Sequence, residues 1–544
     1  MKKKKKKYIF VVGGVMSGVG KGITTSAIAK IIQSRGYSVT ALKVDPYINV
    51  DAGTMNPTEH GEVFVLNDGY ETDQDMGNYE RFLGTTLTSG NYMTTGSVYQ
   101  SVIEKERRGG YKGKCVEVVP HIPLEIISRI EKAGKNENAE IVITEIGGTI
   151  GEYQNILFLE AARMLKEKNP GDVLFVLVSY VPLPSKVGEM KTKPTQYASR
   201  TLNGAGIQAD IIVARSEVPI DDKRKEKIAM SCSVHKKSVI SAPDVESIYH
   251  VPVNFENDNL STIILKKLDL RARKTNMENW VKFTEKIETA KKTVKIGIVG
   301  KYFETGDFVL SDAYISVIEA LKHASYHNGC NPELSWLDST AYEKDSKKLA
   351  TLKEFDGIVV PGGFGSRGIE GKINVAQFCR KNKIPYFGLC YGMQIAVIEY
   401  ARHVAGITDA QTAEIDENAP DLVIDILPEQ KEKLKKGDFG GSMRLGSYPA
   451  HIMPNTIAHK AYKKAEISER HRHRYEVNPE YIEKLEDAGI VFSGKSPNKT
   501  LMEIMELPQN VHPFFLATQF HPEFQSAPLT PHPLFMEFIK AAKK

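Results

Sequence analysis

Cysteine is scarce in this chain: five in 544 residues (Cys115, Cys232, Cys330, Cys379 and Cys390), an odd number with no C-x-x-C pair. That pattern indicates neither a disulfide framework nor a zinc site; it fits reduced thiols in a cytosolic enzyme, one of them available as a nucleophile. No apolar run approaches the roughly 18–20 residues that span a bilayer, so no membrane partner is expected. The apolar stretch Tyr8–Val12 runs straight into a glycine loop with no small-residue cleavage site after it, so no export signal is read. Excess charge is also missing, despite a net +5: Lys2–Lys7 supply six of the 72 basic residues, and the other 66 face 67 acidic ones. A nearly neutral body argues against a nucleic-acid partner. The lysine arm, residues 1–7, reads as disordered and solvated.

What is present is the composition of an ordinary globular protein, 41% hydrophobic and 26% charged. Five segments read as buried parallel strands, apolar on both faces: Tyr8–Val12, Val39–Val44, Glu140–Ile146, Asp172–Val181 and Ala209–Ala214. Between Leu268 and Lys292 the chain turns strongly charged, as a partly helical linker would. A second series of strands opens with Val294–Gly300 and continues with Asp356–Gly363 and Pro385–Cys390. The expected architecture is therefore two α/β domains in series, 8–269 and 293–544, joined by a linker at 270–292.

Gly13–Gly22, GGVMSGVGKG, lies between the first strand and a helical pattern, the context of a phosphate-binding loop. Glycines let backbone N–H groups wrap phosphate oxygens at a helix N-terminus, and Lys21 adds a point charge. The usual spacing is broken twice. Val15 stands where the opening glycine belongs, and Gly22 replaces the hydroxyl residue that normally holds Mg²⁺. Carboxylates elsewhere must then hold the metal, with Asp73, Asp75 and Glu145 as candidates. Glu145 is the stronger case, because it ends an otherwise apolar strand where such sheets bind ligands.

Gly388–Gly392, GLCYG, has the form of a nucleophile elbow with Cys390 as nucleophile. The helix that follows favours the thiolate. His521 of QFHPE is positioned to move the proton, with Glu523 to orient the imidazole. Pro361–Gly365, PGGFG, can offer backbone N–H groups to an oxyanion. Cys379 has no such surroundings and reads as helix packing.

The cysteine elbow with a distal His-Pro-Glu resembles the class I glutamine amidotransferases. Lys43–Val65, Glu71–Phe82, Glu145–Glu152, Gly188–Gln196 and Arg470–Asn478 are similar to the signature blocks of the CTP synthase family, in order and along nearly the whole chain. The resemblance implies an α/β fold of two parallel-sheet domains, a dethiobiotin-synthetase-like phosphate-loop synthetase and a flavodoxin-like glutaminase. It implies phosphorylation of the uracil 4-oxygen of UTP by ATP, then displacement of that phosphate by ammonia. ATP would lie on Gly18, Val19, Gly20, Lys21, Gly22, Ile23, Asp75 and Val245, with Mg²⁺ on Asp75 and Glu145. UTP would meet Ser17, Lys191, Thr192, Lys193, Pro194, Thr195, Gln196 and Lys227, and the product CTP Glu152, Tyr153 and Gln154. Lys43 matches an active-site lysine, and His60 lies in the segment linked to ammonia passage.

In the glutaminase, Cys390 would form a glutamyl thioester. Glutamine would be held around Gly363, Tyr391, Gly392, Met393, Gln394, Glu414 and Arg474, and ammonia would pass through an internal channel. GTP as activator, CTP as inhibitor and a homotetramer complete what the family implies; whether tetramers stack into filaments is not written in the sequence, and the location expected from the reduced thiols is cytoplasmic. Tyr391 departs from the smaller aliphatic residue of many relatives, which points to altered glutamine access. Two other readings stand beside this one. A cobyrinate-type amidoligase has the same two parts but would ignore UTP, and a silent nucleotide-sensing scaffold would release no glutamate.

Overall fold

The computed structural model describes residues 5–543 apart from 187, 301–303, 306, 307, 310, 364, 428, 429 and 431–440, and leaves the side chains of 57, 58, 304, 305, 308, 309, 311 and 312 undescribed. The chain forms two compact units: Met1–Ala52 with Asp75–Thr284, and Gly53–Gln74 with Glu285–Lys544.

The first unit is built on a seven-stranded sheet. Its order is Tyr92–Thr94, Val39–Asp45, Ile141–Ile146, Lys7–Gly14, Val173–Tyr180, Ile211–Ser216 and Val239–Pro243. Every pairing is parallel. Helices such as Lys21–Ser34 and Ile156–Lys168 connect the strands, which explains why strands like Ile141–Ile146 are apolar on both faces and buried throughout. Lys7–Gly14 lies mid-sheet, where the strand order switches direction, and the crevice beyond the carboxyl ends at such a point is where these sheets bind ligands.

The second unit carries a nine-stranded sheet. Cys330–Asp338, Lys292–Gly300, Gly357–Val360, Tyr386–Leu389 and Phe515–Thr518 pair in parallel. Met502–Glu506, Val491–Lys495, Arg444–Ile452 and Glu466–His473 extend the sheet antiparallel.

The chain does not divide at one linker as expected. Residues 53–74, from the middle of the first stretch, form a hairpin of Val63–Val65 and Glu71–Asp73 that packs into the second unit. Phe64 meets Phe524 edge-on at 5.0 Å, Arg470 Nε donates to Asn67 Oδ1 at 2.5 Å, and Arg472 Nε donates to Glu71 Oε1 at 2.8 Å. The expected linker is not free chain either. It holds helix Glu278–Thr289, whose Trp280 and Phe283 pack on Tyr249 of the first unit, with Trp280 Nε1 donating to Tyr249 O at 2.8 Å.

The lysine arm also needs correction. Lys7 opens the first strand and pairs with Asp172 at 2.7 Å, and Lys6 Nζ donates to Gly134 O at 2.8 Å. Residues 1–4 lie outside the described residues. Among the described residues, no helix is long and apolar enough to cross a membrane.

Candidate functional site

In the first unit the strand Lys7–Gly14 feeds a tight loop in which Val15, Gly18 and Gly20 all have positive φ, at 82°, 68° and 88°. Val15 is a β-branched residue in the left-handed region, so the loop is held in a form its sequence alone would not choose. Gly20 caps helix Lys21–Ser34 without a side-chain hydrogen bond. The N–H groups of the first turn are therefore left to a ligand such as a phosphate. Lys21 folds back along the strand, 9% exposed, and its Nζ donates to Gly148 O at 2.9 Å. A Cβ on Gly13 would sit 2.7 Å from Lys21 Cδ, so only glycine leaves room for this course.

The missing hydroxyl at Gly22 has a structural counterpart. A Cβ there would run into the Asp75 carboxylate, which occupies the space a serine or threonine side chain would need. Asp75 in turn contacts Lys43, whose Nζ reaches Glu145 Oε1 at 3.0 Å and Asp45 Oδ1 at 3.8 Å. Tyr79 donates to the other Glu145 oxygen. Burial raises the Glu145 carboxyl above its usual range, against the pull of Lys43. Burial likewise raises Asp45 to about 6, opposed by Lys43 and the Tyr92 hydroxyl. Burial lowers the Lys21 ammonium, with Glu145 opposing it. Asp75 and Glu145 are hard oxygen donors of the kind Mg²⁺ takes, and Lys43 pairs with both of them. Asp73 belongs to the second unit and faces His60 Nε2 at 3.5 Å.

Gly20, Ile23 and Val245 border a cavity of about 190 Å³ together with Arg215 and Asp244, two residues that sequence reasoning passed over. Arg215 is fixed by Asp244 at 2.7 Å and by the carbonyls of Ala242 and Pro243 at 3.1 Å. Arg215 is the penultimate residue of the strand Ile211–Ser216 and Asp244 follows Val239–Pro243, and that position at the carboxyl ends was the available signal. Val19 is buried, while Ser17 is exposed on the loop.

A Cβ on Gly148 would meet Glu152 Oε2 at 2.7 Å, so Glu152 borders the Lys21 carbonyl acceptor; Tyr153 is 92% exposed and Gln154 is exposed. Helix Lys193–Gly204, with Pro194 in its first turn, packs at the end of the first strand, where a Cβ on Gly14 would strike Ala198. Thr195 accepts from Ser179 at 3.0 Å, and Gln196 donates to Thr192 at 3.0 Å. Lys191 bonds Glu189 at 2.9 Å and, with Arg224 and Lys227, holds that carboxyl below its usual range.

In the second unit Cys390 adopts φ 51° and ψ −100° at the N-cap of helix Tyr391–His403. Gly388 and Gly392 make the elbow possible: a Cβ on Gly388 would lie 2.6 Å from Gly392 O, and one on Gly392 would collide with Val360 O. The neighbouring strand Phe515–Thr518 fixes the Cys390 N–H at 2.7 Å through Thr518 O and delivers His521. His521 Nδ1 pairs with Glu523 Oε1 at 2.7 Å, and Nε2 has no hydrogen-bond partner among the described residues. Burial works against the imidazolium, but Glu523 and the Cys390 sulfur outweigh it and push His521 up to about 10.

A cavity of about 840 Å³ opens above them, lined by Gly363, Tyr391, Gln394, Glu414 and Arg474, and by Gly53–Asn56 of the inserted segment. Gln394 Oε1 is buried with no hydrogen-bond partner among the described residues, Glu414 accepts from Gly365 N at 2.5 Å, and Arg474 donates to Gln430 at 3.1 Å. Gly392 and Met393 do not line it: Gly392 faces Val360, and Met393 belongs to the core cluster. Tyr391 borders the cavity, yet its ring belongs to that core, 2% exposed, with Lys372 Nζ 5.2 Å from the ring centre. Cys379 is fully buried, and burial pushes its thiol up, so it is inert.

Against known proteins, the family described as CTP synthase N-terminus matches residues 7–270, and glutamine amidotransferase class-I matches 309–541. The CTP synthase of Carboxydothermus hydrogenoformans is 51% identical over 539 residues, 99% of each chain. That of Thermococcus kodakarensis is 48% identical over 540 residues, again 99% of each. Among solved structures, the glutaminase domain of Trypanosoma brucei CTPS with bound acivicin is 38% identical, covering 46% of this chain and 93% of that one with a TM-score of 0.42.

Proposed function

As a member of the CTP synthase family, the chain is a glutamine-dependent ligase that converts UTP to CTP, and we propose that its two units divide that work. In the second unit, Cys390 Sγ attacks the side-chain amide carbon of glutamine. The Gly363 and Tyr391 N–H groups face the oxyanion, and His521 gives its proton to the departing nitrogen. A C–S bond replaces the C–N bond and ammonia leaves. His521 then takes a proton from water, which hydrolyses the thioester to glutamate. Gln394, Glu414 and Arg474 hold the amino acid.

In the first unit the uracil 4-oxygen attacks the γ-phosphorus of ATP and ADP departs. Ammonia then attacks C4 and phosphate leaves. Lys21 and the capless helix N-terminus carry the charge of the transferring group, and Lys43 sets the positions of Asp75 and Glu145. Mg²⁺ would be held by Asp75 and Glu145 and would neutralise charge on the nucleotide phosphates. Lys191 and Lys227, which both act on the Glu189 carboxyl, suit the UTP triphosphate, together with Ser17 and residues 192–196. Glu152–Gln154 stand ready for CTP. GTP activation, CTP inhibition and a homotetramer accompany this reading as family properties, and the expected location is cytoplasmic.

The observation that carries it is the Asp75 carboxylate in the place of a side chain at position 22. This adapts a phosphate loop to borrowed metal ligands on the same chain as a cysteine–histidine–glutamate site. Glutamine labelled with ¹⁵N at its amide should deliver the label to the 4-amino group of CTP. Release of labelled ammonia with unlabelled CTP, or no CTP at all, would contradict the reading.

A further inference from the structure

The Cys390 sulfur has two polar neighbours that the reaction above does not use. As a thiol it donates to Arg472 O at 3.6 Å, and it also accepts from Gln519 Nε2 at 3.7 Å. These contacts favour opposite states. Ionisation removes the proton that the Arg472 carbonyl was accepting and leaves an oxygen lone pair facing an anion. The Gln519 N–H then becomes a charge-assisted donor to that anion.

Gln519 is built in for this task. It is 1% exposed, its backbone N–H is fixed to Glu503 O at 2.9 Å, and Glu503 is itself held by Arg444 at 2.8 Å. Its side-chain oxygen accepts from Gln394 Nε2 at 3.4 Å, and Gln394 Nε2 also donates to Tyr475 O at 2.9 Å. An amide whose oxygen is engaged by a donor must turn its nitrogen the other way, toward sulfur.

We propose that Gln519 is a further catalytic residue of the glutaminase, whose side-chain N–H steadies the Cys390 thiolate and whose orientation is set by the glutamine-site residue Gln394. The assignment rests on the glutaminase reading above. It gives Gln394 two duties, since the residue lines the substrate cavity while its nitrogen fixes the donor to the nucleophile.

The test is the pH dependence of Cys390 alkylation by iodoacetamide, measured without glutamine in the full-length wild type, Gln519→Met and Gln519→Glu. Alkylation needs the thiolate, so loss of a donor moves the midpoint to higher pH. A tenfold weaker preference for the thiolate is about one pH unit. The charged and titratable groups facing the sulfur are unchanged in all three proteins. They are Arg472, His473, Arg474 and Tyr475 along one strand and its continuation, His521 and Glu523 on the facing loop, and Glu62, Tyr314, Tyr391 and Glu414 on the cavity wall.

Gln519→Met keeps the volume and should raise the midpoint by about one unit and lower glutaminase kcat about tenfold. Gln519→Glu keeps the acceptor for Gln394 but sets a carboxylate against the sulfur, and should raise the midpoint further. A midpoint unchanged in either folded variant, as judged by its melting temperature, overturns the proposal. If wild type alkylates normally but releases no glutamate from glutamine, the glutaminase reading falls instead, and the two failures are told apart.

Discussion

Two positions show how one atom more or less decides the chemistry. Gly22 is where a phosphate loop usually keeps a hydroxyl, and here the Asp75 carboxylate fills that space. Adding a methyl group in Gly22→Ala should displace Asp75. Because misplacement by about 1 Å can cost on the order of 10²-fold in rate, CTP formation with ammonium chloride should fall by about that factor while glutamate release continues. Equal loss of both activities would point to misfolding rather than to the carboxylate.

His521 is the second such position, since its imidazolium survives burial only because Glu523 and the Cys390 sulfur oppose the desolvation. Glu523→Gln should lower glutaminase kcat by about 10²–10⁴-fold, the usual range for positioned acid–base catalysis. The sign on stability follows from a folded value near 10 against an unfolded value of about 6.5. The stabilising contribution is full below about pH 6.5 and is lost as pH rises toward 10. The gap in melting temperature between wild type and His521→Gln should therefore narrow over that window; a constant gap would show that the charge contributes nothing.

At the scale of elements, the sheet strands were legible because parallel strands covered on both faces are continuous apolar runs, and Ile141–Ile146 and Val173–Tyr180 have no polar alternation to confuse with a surface strand. The cysteine elbow was legible for a different reason: GLCYG carries its own steric requirement in Gly388 and Gly392. What was not legible depends on contacts distant in sequence. Arg215 and Asp244 become a cavity wall only when adjacent strands bring their ends together. Gly392 and Met393 sit beside the nucleophile in sequence, yet the helix turn aims them into the core.

The hairpin at 63–73 was missed for the same reason, since its short strands are satisfied by residues some 400 positions away, Arg470 and Arg472. Phe64 is fully buried against Phe524. Phe64→Ala should therefore cost roughly 3–5 kcal/mol in the second unit, although residue 64 lies in the first half of the chain. Hydrogen exchange should show protection lost along Glu466–His473 in this variant. Unchanged protection there would mean that the hairpin is not part of that unit's core.

For the whole molecule, the central claim is that one chain holds two separable chemistries, with nitrogen liberated at Cys390 and spent at the phosphate loop. The most direct measurement is CTP formation from UTP, ATP and Mg²⁺, supplied with either glutamine or ammonium chloride, in wild type and Cys390→Ala. The account predicts that the variant loses glutamine-dependent synthesis and keeps ammonia-dependent synthesis at the wild-type rate. Glutamine-dependent CTP formation surviving in the variant, or no CTP from either nitrogen source in wild type, would contradict it.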